Sequence, residues 1–325
     1  MLAAAEKLKE PCKEVGVHLS IAKTSDPGNT GVSLDVVKLK TQTHASDHFR
    51  VAAVFGEHSR ELISPETGLL AIKALCNKMP KCTSCEDDHS TQLSSLLERG
   101  EKVRRVPSEW EIVLNGNPRT RERLEQSGNF CLRRDPADVD LNRNWNDHFT
   151  GGDDHGNAPF SEPETRAYRA ELERQRPNAY FSVHSGELGL YAPHAWTFAE
   201  PTSPSEEAAL PEYGVLRKVQ KELCPECPAG SAARLQGMVI TGSSFDYVRD
   251  ELKSNYSYAF ELYKDASSSP VTPDGCFQYF NPPTPDKFMT VGAKFANVML
   301  ESAYLSMVHS NDTAAAPESL AEGIF

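Results

Sequence analysis

Five short apolar segments, bounded by turn-forming or polar residues, alternate with helical patterns along this chain; they span residues 33–40, 49–56, 110–116, 179–185 and 256–263. Several of them are apolar on both faces, which suits strands in the buried centre of a largely parallel sheet. Strands that alternate with helices build an α/β sandwich, in which helices cover the sheet. We therefore expect an α/β fold.

The helical patterns cover residues 63–78, 161–175 and 284–307. In the first of them, Ser64 is expected to cap the helix, with Pro65 at the first helical position and Glu66 near the positive end. The polar stretch 82–109 is expected to be a surface excursion. No repeat or linker divides the sequence, so we expect one domain over residues 1–308 and a flexible C-terminal tail over residues 309–325.

The charge and hydropathy of the chain exclude some classes of function. A net charge of −12 over 325 residues argues against nucleic-acid binding, which needs clustered Lys and Arg. No run of about eighteen apolar residues indicates a membrane span, and no leader is visible at the start. A secreted protein whose leader has been removed would look the same. We expect a monomer.

The eight cysteines include two CxxC pairs, Cys82/Cys85 and Cys224/Cys227. The preferred interpretation is a set of disulfides formed in an oxidising compartment, which predicts a secreted protein or one in the lumen of the secretory pathway. The alternatives are a four-cysteine zinc site, a thioredoxin-type redox pair and reduced surface thiols. The pairing cannot be read, because eight cysteines allow about 105 connectivities.

A candidate metal site follows two of the apolar segments. His58 and Glu61 form an HxxE motif directly after the segment 49–56, and His184 closes the segment 179–185. In an open α/β sheet, sites form at the carboxyl ends of strands. Two imidazoles and one carboxylate are a ligand set of catalytic zinc, which keeps a fourth position for water. Other histidines, including His148 and His194, have loop-like surroundings and are expected at the surface.

Five motifs in one order strengthen this hypothesis: HSRE (58–61), DLNRNW (140–145), PFSEPET (159–165), HSGELGLY (184–191) and AFEL (259–262). Together they resemble the zinc carboxypeptidase family, which includes the digestive carboxypeptidases, over roughly residues 10–305. The resemblance implies a three-layer α/β/α sandwich with a central mixed, largely parallel twisted sheet. It also implies one zinc ion per chain and hydrolysis of the C-terminal bond of peptides or proteins.

Carried over motif by motif, the resemblance makes His58, Glu61 and His184 the zinc ligands. It makes Asp140 the acid that orients the first histidine. Asn142 and Arg143 match the pair that grips the substrate's terminal carboxylate. Glu261 matches the glutamate that takes a proton from water and passes it to the departing amine. Arg133 matches the arginine that stabilises the oxyanion, with Arg134 as its rival; Glu187 is a less favoured base.

The sequence departs from the family pattern at two positions. Met238 stands where the family has a mobile tyrosine that caps the substrate, and Gly186 stands where pancreatic members have a tyrosine. Phe245 occupies the position at the base of the side-chain pocket, which favours apolar C-terminal residues. We also expect no inhibitory segment before the HSRE motif, because only about fifty residues precede it.

Three other functions are alternatives. A non-catalytic family member that binds peptides would be expected to have lost Glu261 or a metal ligand. A zinc amidase of the aspartoacylase type would hydrolyse N-acyl amino acids and leave peptides intact. A deglutamylase acting on acidic tails needs a basic pocket that the sequence does not reveal.

Overall fold

The computed structural model describes residues 1–79, 87–199, 201, 206 and 209–315. Within these residues, one eight-stranded sheet runs through the molecule, in the order β1-β2-β4-β3-β5-β8-β6-β7. The strands are β1 His18–Ser25, β2 Ser33–Lys40, β3 Phe49–Phe55, β4 Ser108–Val113, β5 Ala179–His184, β6 Leu188–Ala192, β7 Ala229–Ser231 and β8 Tyr256–Leu262. All five strands predicted from the sequence are present.

Parallel pairing dominates the middle of the sheet. The pairs β4–β3, β3–β5 and β5–β8 are parallel, and so is the pair β6–β7 at one edge. The pairs β1–β2, β2–β4 and β8–β6 are antiparallel. The prediction of a mixed, largely parallel sheet is confirmed.

Helices cover both faces of this sheet. They are α1 Leu2–Glu6, α2 Lys9–Glu14, α3 Ile63–Leu75, α4 Asp87–Arg104, α5 Pro118–Ser127, α6 Pro163–Gln175, α7 Pro211–Leu223, α8 Ala232–Gln236, α9 Ser244–Asp250, α10 Pro273–Phe280 and α11 Pro285–Ala315. One apolar core lies between the sheet and α3, α4, α7 and α11, and a second lies between the sheet and α6 and α9. The three-layer α/β/α sandwich is confirmed.

Strand β3 shows why the central segments are apolar throughout. Phe55 belongs to the first core, whereas its neighbour Val54 belongs to the second. Side chains alternate between the faces of a strand, so a strand covered on both faces needs apolar residues at successive positions. Within the described part of the chain, no helix is long and apolar enough to cross a membrane.

The start of α3 differs from the prediction. The helix begins at Ile63, its N-cap residue is Leu62, and no side chain caps it. The Ser64 hydroxyl instead donates to the backbone oxygen of Val183, at 2.5 Å. The turn that carries Glu61 leads directly into the helix, so Pro65 lies inside the first turn, where a missing N–H leaves no intrahelical bond unmade.

The polar stretch 82–109 is not a surface excursion where the structure describes it. Residues Asp87–Arg104 form α4, which packs against α11 and α3 and buries Leu93, Leu96 and Val103. Residues 80–86 lie outside the described residues. The predicted helix over 284–307 is longer, because α11 continues to Ala315 through residues that we assigned to the tail. The remaining tail, 316–325, lies outside the described residues.

Among the described residues, three disulfides join six cysteines. They are Cys12–Cys76, Cys131–Cys276 and Cys224–Cys227. The bond between Cys224 and Cys227 contradicts the alternative of a four-cysteine zinc site, because those two sulfur atoms are bonded to each other. The predicted disulfides are confirmed for the described cysteines; Cys82 and Cys85 lie outside them.

Candidate metal centre

The candidate metal centre lies at the carboxyl ends of β3 and β5. These strands are parallel neighbours, with Phe55 opposite Val183 in register. His58 and Glu61 lie in the turn that follows β3, and His184 is the last residue of β5. Each of the three side chains is at most 4% exposed. Strand pairing therefore brings the two distant sequence motifs to one buried point.

The potential ligand atoms of these residues lie within 4.8 Å of one another. His184 Nδ1 is 3.2 Å from His58 Nδ1 and 3.1 Å from Glu61 Oε2. The distance from His58 Nδ1 to Glu61 Oε1 is 2.7 Å. Two ring nitrogens and a carboxylate at this spacing repel one another unless a cation or protons lie between them. The donor set and its convergence fit a zinc ion.

Asp140 orients the first histidine. Its Oδ1 lies 3.0 Å from His58 Nε2, and its other oxygen accepts hydrogen bonds from Arg133 Nε at 3.0 Å and Nη2 at 2.6 Å. The backbone N–H of Asn142 also donates to Asp140 Oδ1. A proton held on Nε2 by Asp140 leaves the lone pair of Nδ1 facing Glu61 and His184, as metal binding requires.

Ser182 and Glu57 orient the second histidine, and neither residue is predicted from the sequence. The Ser182 hydroxyl donates to Glu57 Oε2 at 3.0 Å and lies 2.7 Å from His184 Nε2, whose N–H it is placed to accept. This arrangement turns His184 Nδ1 towards Glu61. Two local signals were available: Glu57 directly precedes the HSRE motif, and Ser182 lies on the same strand face as His184.

The electrostatics of the centre favour a cation. Burial would raise the pKa of Glu61, but the charge of His58 and hydrogen bonds from both histidines lower it overall. Burial would lower the pKa of His184, but hydrogen bonds to Glu57 and Glu61 raise it to about 10. The negative field that holds a proton on this ring also favours a metal ion, which displaces such a proton on binding.

A cavity of about 60 Å³ opens beside the three residues. Its lining residues are His58, Arg133, Asn142, Arg143, His184, Tyr191, Ala195, Ala232, Gln236, Ile240, Ser243, Phe245, Ala259 and Glu261. Glu261 is in register with His184 across the parallel pair β5–β8. Burial raises the pKa of Glu261 to about 7, although the nearby charge of His184 opposes this shift. A carboxyl group with such a pKa can accept and return a proton near neutral pH.

The sequence profile described as zinc carboxypeptidase matches residues 3–290. The chain belongs to the zinc carboxypeptidase family. Carboxypeptidase A5 of Homo sapiens is 25% identical over 256 residues, which cover 75% of this chain and 56% of that protein. Zinc carboxypeptidase A 1 of Anopheles gambiae is 25% identical over 233 residues, which cover 66% of this chain and 48% of that protein. The chain thus spans about half the length of these curated relatives.

Solved structures of the family share the fold. The crystal structure of thrombin activatable fibrinolysis inhibitor superposes with a TM-score of 0.67 at 17% identity, over 94% of this chain and 72% of that chain. Carboxypeptidase A from Helicoverpa armigera gives a TM-score of 0.61 at 19% identity, over 91% of this chain and 71% of that chain. At these identities the likeness shows the zinc carboxypeptidase fold.

The two candidate oxyanion arginines have different surroundings. Arg133 lines the cavity, pairs with Asp140 and lies 3.6 Å from Glu61 Oε1. Arg134 pairs instead with Asp138 and Asp154, at 3.2 and 3.6 Å. The position of Arg133 therefore favours it over Arg134.

Asn142 and Arg143 both line the cavity, but their side chains have different hydrogen-bond partners. The amide of Asn142 accepts from the backbone N–H of Ser244 at 2.8 Å, and its nitrogen lies 3.2 Å from His184 Nε2. Arg143 donates through Nη1 to the backbone oxygen of Asn142, at 2.8 Å. The remaining guanidinium N–H groups of Arg143 can donate hydrogen bonds to a carboxylate. Arg143 is therefore better placed than Asn142 to bind one.

The departures from the family pattern have structural counterparts. Phe245 is buried and lines the cavity, whereas Met238 is 55% exposed. At Gly186, φ is +127°, and a Cβ atom would lie 2.5 Å from Cε1 of Phe280. The Phe280 ring thus occupies the space that a side chain at position 186 would need.

Glu187, the less favoured candidate for the catalytic base, forms an ion pair with a lysine outside the candidate metal centre. Its carboxylate accepts a hydrogen bond from Lys264 Nζ at 2.6 Å, and its side chain is 51% exposed. Its backbone N–H lies 3.3 Å from Glu261 Oε2. Glu187 therefore supports the position of Glu261 through its main chain.

Proposed function

We propose that this chain is a zinc-dependent carboxypeptidase that hydrolyses the C-terminal peptide bond of peptides or proteins. The observation that carries the proposal is the convergence of His58, Glu61 and His184 at the edge of a cavity that also contains Glu261 and Arg143. Membership of the zinc carboxypeptidase family supports the same reaction.

His58, Glu61 and His184 would hold the zinc ion, and Asp140 would fix the ring and tautomer of His58. When bound, zinc supplies Lewis acidity, which polarises a carbonyl group and makes water nucleophilic near neutral pH. All three ligand side chains are buried, so the surrounding protein excludes bulk water from the ligand atoms. In that environment the electrostatic interactions of the site are stronger than in water.

Glu261 would act as the general base and then as the acid. Its carboxylate accepts the proton of the attacking water and returns it to the nitrogen of the departing residue. Burial raises the pKa of Glu261 above that of an ordinary glutamate, which brings the group nearer to the pH range in which it can both accept and return a proton. Arg133 would hold the developing oxyanion, since its guanidinium group lines the cavity close to Glu61.

Arg143 would bind the terminal carboxylate of the substrate, with Asn142 beside it. A guanidinium group suits a planar carboxylate, because it can donate two parallel hydrogen bonds. Recognition of a free chain end restricts cleavage to the last peptide bond. Phe245 would contact the side chain of the last residue, and its apolar ring favours an apolar residue there.

The disulfides support a location outside the reducing cytosol. Three of them are present in the described part of the chain, and disulfides persist in oxidising compartments. We propose a secreted protein or one in the lumen of the secretory pathway.

The test combines metal analysis with peptide trimming. Wild-type protein and the Glu261→Gln variant are loaded with zinc and incubated with a mixed peptide pool, and released C-terminal residues are identified by mass spectrometry. We expect a zinc ion bound by His58, Glu61 and His184 in both proteins and trimming by the wild type alone. Equal trimming by both proteins would remove Glu261 from the mechanism. Hydrolysis of N-acyl amino acids without peptide cleavage would favour the aspartoacylase-type amidase.

A further inference from the structure

A second group of potential metal ligands lies outside the candidate zinc centre. Asp147, His148 and Asp250 offer ligand atoms that lie within 4.8 Å of one another. Asp147 and His148 are in the loop after the DLNRNW motif, and Asp250 is the last residue of α9. From the sequence we expect His148 at the surface, and no role is predicted for the two aspartates.

The contacts of this group arrange it as a coordination site. Asp147 Oδ1 lies 3.1 Å from His148 Nδ1. The His148 ring stacks on Trp196, with 3.6 Å between ring centroids and 11° between planes, which fixes the imidazole against a rigid surface. On the other side, Asp250 Oδ1 lies 3.3 Å from His194 Nε2. A carboxylate ligand that is itself hydrogen-bonded by a neighbouring group is common in metal sites.

Buried oxygen atoms without hydrogen-bond partners give an independent indication of a cation site. Asp147 is 2% exposed, and its Oδ2 has no hydrogen-bond partner. Asp246, one turn before Asp250 on α9, is fully buried, and its Oδ1 also has none. A buried carboxylate oxygen that lacks a partner is costly, because it has lost its hydration.

The ion-pair partners of Asp147 and Asp250 within the described residues are histidines. Arg249, which follows Val248 on α9, donates its Nε–H to Glu212 at 2.9 Å. The two histidines, His148 and His194, each contact one carboxylate. Among the contacts described above, no arginine or lysine side chain pairs with Asp147, Asp246 or Asp250.

We propose that Asp147, His148 and Asp250 bind a second, structural divalent cation. A set of two carboxylates and one imidazole suits a first-row metal ion such as Zn²⁺. Asp147 is the buried ligand, whereas the side chains of Asp250 and His148 are 28% and 44% exposed, so the ion enters from their side.

This cation would stabilise segments that line the cavity beside the candidate zinc centre. The backbone oxygen of Asp147 accepts the N–H of Gly242, which precedes the lining residue Ser243. The Asp246 carboxylate accepts the N–H of Ala195, another lining residue, at 2.9 Å. The ion therefore ties the loop that carries Asp147 to α9, and each of these elements holds a lining segment in place.

The test counts zinc ions on the full chain. Protein stripped with a chelator is reloaded with Zn²⁺, dialysed and analysed for zinc by mass spectrometry. We expect two ions per wild-type chain and one in Asp250→Asn and in His148→Ala, in which an exposed ligand is changed. Asp154→Asn is the matched control, since Asp154 contacts His155 at 2.9 Å in the same loop region outside the site, and it should keep two ions.

The Glu61→Gln variant separates the two centres. This variant should lose the ion held by His58, Glu61 and His184, and Zn²⁺ should still raise its unfolding temperature through the second site. In the double variant Glu61→Gln, Asp250→Asn, Zn²⁺ should no longer raise the unfolding temperature. One ion per wild-type chain that disappears in Glu61→Gln would overturn the second site and leave the proposed function intact. Retention of two ions in both Asp250→Asn and His148→Ala would also overturn it.

Discussion

His184 and Glu261 face each other across the parallel pair β5–β8, in register at the carboxyl end of the sheet. Register places both side chains on the same face, so the candidate metal ligand and the candidate base meet at one cavity. A slip of one residue between these strands would point one of the two into the opposite core. The apolar residues that flank them, Val183 and Phe260, belong to that core and hold the register.

Removing the charge of Asp140 should weaken zinc binding. Asp140→Asn keeps the shape of the side chain but replaces the carboxylate that faces His58 Nε2. We expect zinc affinity to fall about 10- to 100-fold, as is usual when a group that orients a ligand is changed. Competition with a chromophoric chelator measures the affinity. Asp138→Asn, at an 84% exposed position, is the control and should leave it unchanged; equal affinity in all three proteins would contradict the role of Asp140.

The proposed peptidase activity should decrease as the pH falls, because Glu261 must be ionised to accept a proton. Burial raises its pKa to about 7, and a bound cation would lower that pKa again, since positive charge favours the ionised form. The acidic limb of kcat/KM against pH should therefore lie below pH 7, with activity lost as pH falls. Stopped assays between about pH 4 and 9 measure the profile. A constant kcat/KM across that range would contradict this assignment.

Under the proposed function, Phe245 should produce a preference for apolar C-terminal residues. Its buried ring lines the cavity and offers apolar contact but no charge to a basic side chain. Peptides that end in Phe or Leu should be cleaved at least about tenfold faster in kcat/KM than those ending in Lys, Arg or Glu, given the free energy of burying such a side chain. Met238→Ala, at an exposed position, should keep this order. Faster cleavage of the basic peptides would refute the preference.

Asp26 should contribute stability that depends on pH. It accepts two hydrogen bonds from Arg166, from Nε at 2.7 Å and Nη2 at 2.9 Å, and these chiefly hold its pKa well below the usual range. A carboxyl group with a lowered folded-state pKa stabilises the protein above its unfolded pKa of about 3.9, and this stability is lost as pH falls through the folded pKa. Asp26→Asn should lower the free energy of unfolding at neutral pH by about 2 kcal/mol, as expected for hydrogen bonds to a charged group.

Urea unfolding at pH 7 and at pH 3 measures this effect. The difference between wild type and Asp26→Asn should shrink at the lower pH. Asp35→Asn is a suitable control, because Asp35 and Lys23 form an exposed pair at 4.0 Å, and such pairs contribute little. A difference that stays constant with pH would show that the effect of Asp26 is not electrostatic.

The sequence predicts the central part of the fold well and the periphery poorly. Strands such as β3 and β5 are apolar at successive positions, which is a strong local signal. Strand β7 has only three residues, Ala229–Ser231, and forms through its pairing with β6. Helix α4 was missed because its mean composition is polar; only Leu93, Leu96 and Val103 mark the face that packs on α3 and α11.

Some residues of the candidate site can be predicted from the sequence and others cannot. His58, Glu61 and His184 could be found because each lies at the end of a recognisable strand within a motif. The local signals at Glu57 and Ser182 do not pair the two residues with each other, because they are distant in the sequence and their contact depends on the pairing of β3 with β5. Asp147, His148 and Asp250 come from two separated segments that form no motif, so only the tertiary structure brings these three residues together.

The most direct test of the central claim is the position of zinc in crystals of the zinc-loaded protein. An anomalous difference map recorded at the zinc absorption edge should show a peak about 2.0–2.2 Å from His58 Nδ1, His184 Nδ1 and a carboxylate oxygen of Glu61. A fully loaded crystal with no peak between these three side chains would contradict the account.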